Sequence, residues 1–227
     1  MFSVSKDWNP KQAQLREYLS KPDCFDKAIQ LCLELHSMVH CSEISSGNQP
    51  TLLDEVWDGL TDTAFSTAPT NKDVTIAWSI WHITRIEDIT ANILINNAEQ
   101  ILNDDWLKRL NTDIRDTGNA MNYDEILSLS SDLNIDELRN YRNAVGARTK
   151  AIIESLSPAD IKRKMKQESL DRILSEGGLT EQEDSVWLLD FWGKKSVAGI
   201  LLMPITRHQI IHVNDSLKLR IKFEGKK

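Results

Sequence analysis

Between Asp73 and about Ala98 the apolar side chains return with the period of an α-helix, and this limits what the chain can fold into more than any other feature. At about 100° of rotation per residue, Trp78, Ile86, Ile89 and Ile93 all fall within about 40° of His82. His82 therefore points inward. The same period recurs on three other long segments. One runs from Asp23 to about Ser45 and places Phe25, Ile29, Cys32, Leu33, His36, Val39 and His40 on one face. Another is opened by Asn134 with Glu137 three residues later, a capping-box pattern, and carries Leu138, Tyr141, Val145, Ile152 and Leu156 as its inward stripe. The last occupies part of 196–222, where Pro204 either begins the helix or kinks it.

The connections hold smaller helices. Residues 1–22 read as an N-terminal arm with a short helix over Lys11–Leu19, and 23–227 as a single domain. Thr51–Leu60 is a short helix carrying Trp57, Thr61–Lys72 a loop, and Trp106–Met121 a loose helix interrupted by Gly118-Asn119. Ser157-Pro158 ends the third long helix and starts another, while Leu170–Ser175 and Ser185–Trp192 are short helices. Only nine glycines are present and alternating Val/Thr/Tyr runs are scarce, which argues against sheets. Four long amphipathic helices with small helices between them make an all-α helix bundle the expected architecture.

Charge removes some function classes. A formal net charge of -7 gives a phosphate backbone nothing to attract it, and the basic run Lys162–Lys166 reads as a solvated helix face, so no nucleic-acid partner is expected. Cys24, Cys32 and Cys41 are odd in number and none lies in a CxxC, which favours a reducing compartment. The stretch Met1–Asp7 is too polar for a signal peptide and the apolar run Val197–Ile205 too short to span a bilayer. A soluble cytoplasmic protein without a membrane partner is expected.

The chemistry lies in the histidines. His208 and His212 stand four residues apart on the last helix, so their rings stack on one face, within about 60° of Ile205, Ile211, Asp215 and Leu219. With His82 on another helix they make three imidazoles that can hold one divalent ion and leave a position open for water or substrate. Zinc, nickel, iron and manganese all tolerate such ligands. No HExxH occurs, so the zincin arrangement is absent, and no Cys or Ser has an adjacent base for covalent catalysis.

Trp78-Ser79-Ile80-Trp81-His82-Ile83-Thr84-Arg85-Ile86-Glu87-Asp88 on the second long helix and Arg207-His208-Gln209-Ile210-Ile211-His212-Val213-Asn214 on the last resemble the DinB-like superfamily. The resemblance covers roughly 23–222. It implies an up-up-down-down four-helix bundle of DinB-like type in which one His of the second helix and an HxxxH pair of the fourth bind a divalent metal. In this chain those ligands are His82, His208 and His212. The activities the resemblance implies are those of thiol-dependent S-transferases, which use a low-molecular-weight thiol, and of a maleylpyruvate isomerase. A metal-dependent transferase or hydrolase acting on a small-molecule electrophile is thus one expectation. A non-catalytic metal- or ligand-binding stress-response protein is the other.

Four residues beside the triad carry two readings each. His36 and His40 are either packed core histidines with hydrogen bonds or groups lining the pocket above the metal. Asp215 either orients a ligand histidine or is an ordinary half-buried carboxylate. Arg85 either meets an anionic substrate or makes an ion pair. Ile210, Val213 and Leu217 make the far side of the last helix apolar too, so it is either enclosed by the connecting segments or pairs with another subunit; a homodimer is expected.

Overall fold

The computed structural model describes residues 2–45 and 49–224. Among them there is no β-strand, only an isolated bridge between Lys164 and Ser196, and the protein is all-α. No helix of the described residues is long and apolar enough to cross a membrane. The principal helices are α1 (Asn9–Ser20), α2 (Phe25–Met38), α3 (Ile76–Asp88), α4 (Ile135–Ser155) and α5 (His208–Glu224). α3 packs on α4 and α5, α2 packs on α4, and α1 lies along α2.

α3 is the axis of the molecule. Thr75 caps it by accepting a hydrogen bond from the Trp78 amide at 2.9 Å, and all of its residues are buried. The burial includes Arg85, Glu87 and Asp88, charged groups that an amphipathic reading would turn to solvent. A π-turn, Ile89–Ile95, continues it at full burial, so the expected helix over 73–98 is one buried rod in two pitches.

Other boundaries depart from expectation for local reasons. The first long helix stops at Met38 instead of about Ser45, because Arg142 Nη2 takes the Val39 carbonyl at 3.1 Å; a separate turn of helix follows at Ser42–Ser45. In place of a helix over 106–121 there is a shorter one, Asp104–Leu110, ended by Asn111 in the left-handed conformation at φ 58°. The expected loop over 61–72 holds a short helix, Asp62–Ser66, capped by Thr61. The helix expected after Ser157-Pro158 does not form: the Ser157 amide and hydroxyl both donate to Asp160 Oδ2, which closes a turn there. Tyr123–Asp132 is a helix that periodicity passes over, although Asn122 and Glu125 make its capping box. Pro204 lies within a π-turn, Met203–Arg207, between a short helix, Val197–Leu202, and α5.

Part of the far face of α5 is covered by the chain itself, while Leu217 is half-buried. Ile210 and Val213 are fully buried, and α5 packs on the connecting helix Leu52–Trp57. The N-terminal segment is likewise built into the body. Trp8 and Leu15 have no exposed surface.

Candidate metal centre

Three histidines meet between α3 and α5, each placed by its own backbone. His82 is buried on α3, one turn beyond Trp78, whose indole stacks on it with centroids 4.6 Å apart and planes 8° from parallel. His208 and His212, half-buried, project from the first turns of α5. The ring centroids are 5.0 Å apart for His82 and His208, 4.9 Å for His82 and His212, and 4.7 Å for His208 and His212. One nitrogen of each lies within 4.8 Å of the others.

The tautomer of His82 follows from its neighbour. Nδ1 lies 2.7 Å from the Thr117 carbonyl, which can only accept, so Nδ1 carries the proton and Nε2 a lone pair. That lone pair faces His208 Nε2 at 3.2 Å. Burial pushes His82 down to about 3, helped by His212 and opposed by the Thr117 carbonyl. Burial also lowers His212 to about 4, against the pull of Asp215. His208 lies well below the usual histidine range through burial, with His82, His212 and Arg142 adding to the effect. All three rings are neutral near pH 7, the form that ligates a metal. His208 Nδ1 is buried without a protein partner. A donor set of three neutral imidazoles with one tautomer fixed from behind fits a borderline divalent ion.

The support behind His82 is a strap of four consecutive carbonyls. Arg115 O accepts from Arg85 Nε at 2.8 Å, Asp116 O from Trp81 Nε1 at 3.1 Å, Thr117 O from His82, and Gly118 O from Trp78 Nε1 at 3.2 Å. Gly118 adopts φ +73°, and a Cβ there would lie 2.8 Å from Trp78 Nε1. Glycine is what lets the strap approach the indole.

A second polar group occupies the core between α2, α3 and α4. Glu87 Oε1 accepts from His36 Nε2 at 2.9 Å, both carboxylate oxygens lie within 3.1 Å of His40 Nε2, and Oε2 accepts from Arg142 Nη1 at 2.9 Å. Burial alone would raise the Glu87 carboxyl, but His40, Arg142 and His36 hold it well below the usual carboxylate range. Burial brings His40 down to about 3, with Arg142 adding and Glu87 opposing. Arg142 Nη2 also donates to Gln209 Oε1 at 2.7 Å. Gln209 Nε2 in turn reaches the carbonyls of Ile83 at 3.1 Å and Pro204 at 2.8 Å. The residue after one metal-site histidine thus bonds the backbone of the residue after another.

The remaining sequence candidates lie apart. Arg85 is fully buried and uses Nε for Arg115 O, Nη1 for Asp88 and Tyr141, and Nη2 for Gln100. It makes the ion pair, not with a surface Glu but with buried Asp88. Asp215 is exposed and pairs with Lys218 at 2.8 Å. Glu87, Arg142, Gln209 and the 115–118 strap escape a sequence reading. The one available signal is the run of charges Arg85, Glu87 and Asp88 inside an otherwise apolar helix.

A family model of the DinB superfamily matches residues 48–214. The matched span holds His82, Glu87, His208 and His212, and leaves out α1 and α2 with His36 and His40. No curated protein matches the chain.

Proposed function

The chain belongs to the DinB superfamily, and from that premise we propose that it is a divalent-metal-dependent enzyme with His82, His208 and His212 as metal ligands. Its reaction would be thiol-dependent S-transfer or hydrolysis on a small electrophile, in the cytoplasm. The observation that carries the reading is the convergence of one nitrogen from each of the three histidines within 4.8 Å of one another, with His82 Nε2 left as a lone pair because its proton is committed to Thr117. When bound, the ion supplies a nucleophile at neutral pH by lowering the pKa of a thiol or water.

The protein's own part is positional. The Thr117 carbonyl holds the His82 proton on Nδ1 and so keeps Nε2 directed at His208. Trp78 covers one face of the His82 ring and keeps water from it. Gln209 ties the backbone of α3 at Ile83 to the turn that launches α5, which sets the separation of the two ligand-bearing helices.

The test is calorimetric titration of glutathione or bacillithiol into metal-loaded wild type and His82→Ala. Thiol binding in the wild type that is lost in the variant supports the reading. A variant that binds metal and thiol as the wild type does would sink it. A wild type that holds metal at the three histidines yet binds no thiol and hydrolyses no activated ester would point to a non-catalytic metal- or ligand-binding protein.

A further inference from the structure

The chain carries two His-x3-His pairs, and both close on the same central helix. His208 and His212 of α5 meet His82; His36 and His40 of α2 meet Glu87, five residues further along α3. We propose that His36, His40 and Glu87 form a second divalent-metal site, a two-imidazole, one-carboxylate set that staples α2 to α3 independently of the three-histidine centre. The proposal does not rest on the activity assigned above.

The distances suit shared coordination. Both imidazoles present the same atom, Nε2, to the carboxylate, at 2.9 Å for His36 and 3.0 to 3.1 Å for His40. Ligand atoms that each sit about 2.0–2.2 Å from one ion are separated by roughly 2.9–3.5 Å. Arg142 engages Oε2 and leaves Oε1, the oxygen both rings reach, as the ligand; a ligating carboxylate is commonly held this way through its other oxygen. Imidazole with carboxylate suits a borderline ion such as zinc, cobalt(II) or iron(II).

The site is built for both states. Without metal, each Nε2–H donates to Glu87, so the carboxylate and both Nε2 atoms are partnered. On binding, each ring moves its proton to Nδ1, Glu87 is already ionised, and no proton leaves the set. His40 Nδ1 has no partner, so this ring can take either tautomer without breaking another bond. Space for it comes from Gly146, where a Cβ would lie 2.3 Å from His40 Nδ1. His36 lines a surface cavity of about 260 Å³ together with Glu34 and Lys150. The two donor sets differ, three imidazoles against two imidazoles and a carboxylate flanked by Arg142, so the two sites fill at different metal concentrations.

The five histidines of the chain are all accounted for by the two groups. A His82→Ala/His208→Ala/His212→Ala variant therefore retains only His36 and His40, and cobalt(II) titration followed by visible absorption, with zinc content by mass spectrometry, isolates the second site. Wild type is expected to take up two equivalents in two steps and the triple variant one. His36→Gln, whose amide can still donate to Glu87, is expected to reduce the wild type from two equivalents to one. A wild type that saturates at one equivalent, with none in a folded triple variant, would overturn the proposal. So would a sulfur-to-cobalt charge-transfer band in the triple variant, since it would place the ion on a cysteine. Should His36→Gln fail to fold, the triple variant decides alone.

Discussion

His82 is oriented by an atom that no side chain supplies, the carbonyl of Thr117, and that carbonyl is placed by Gly118. Gly118→Ala puts a Cβ at φ +73° and 2.8 Å from Trp78 Nε1. The backbone strain is about 1–2 kcal/mol, and the strap must shift away from Trp78. Metal affinity at the three histidines is expected to fall about 10-fold or more, read by competition with a chromophoric chelator; an unchanged affinity would separate the strap from the site. Titration gives a second expectation. His82 and His40 each lie at about 3 in the folded protein against about 6.5 unfolded. Between those values the unfolded chain binds the proton and the folded one does not. The stability these rings contribute is therefore whole above pH about 6.5 and is lost as the pH falls toward 3, at roughly 1.4 kcal/mol per pH unit for each ring. Urea midpoints of the metal-free protein should drop from pH 7 to pH 5, and His40→Gln should flatten the drop. The inward turn of His82, His36 and His40 is legible from apolar spacing alone. Glu87, Arg142 and Gln209 are not, because a charged or amide side chain defaults to solvent unless its buried partner is known, and that partner is distant in sequence.

The elements show the same division between local and long-range causes. Caps have local causes: Asn134 accepts from the Glu137 amide, although the Glu137 carboxylate turns to Arg109 and Asn140 and does not close the expected box, Thr51 and Asp54 cap each other, and Thr75 starts α3. Breaks depend on distant groups, as when Arg142 of α4 claims Val39 O and α2 ends there. The π-turn before α5 belongs to this second kind. Pro204 offers no amide, and its carbonyl is met by the Gln209 side chain instead. Whether Pro204 begins or bends the last helix could thus be settled only by a group from within the fold. Thr75 joins the two kinds, since its hydroxyl also contacts Ser130 at 2.6 Å. Thr75→Ala removes the cap and this bond together, and is expected to cost about 1–2 kcal/mol in urea unfolding. Thr75→Ser keeps both and should recover most of the loss.

Taken across the molecule, the fold has fewer loose parts than the sequence suggests. Of the apolar far face of α5, the basis for expecting a second subunit, Ile210 and Val213 are buried within the chain, where α5 packs on Leu52–Trp57, and Leu217 is half-buried. The N-terminal arm, polar in composition, is anchored where it matters for the metal centre. Trp8 Nε1 donates to Gln12 Oε1 at 3.0 Å, and Gln12 Nε2 reaches Leu202 O at 2.9 Å and Thr206 Oγ1 at 3.1 Å. Those acceptors lie in the segment that delivers His208, so α1 holds the start of α5 from outside the family-matched span. Two substitutions separate packing from positioning. Trp8→Ala removes a fully buried indole and is expected to cost about 3–5 kcal/mol, with metal affinity falling as the turn loosens. Gln12→Met keeps the side-chain volume but leaves Trp8 Nε1, Leu202 O and Thr206 Oγ1 short of a partner, at a cost of about 1–3 kcal/mol. If α1 positions the centre, Gln12→Met should weaken metal binding well below its midpoint of thermal unfolding and alter the cobalt(II) spectrum of the three-histidine site. If α1 only covers the core, the spectrum will be that of the wild type and only the unfolding midpoint will move.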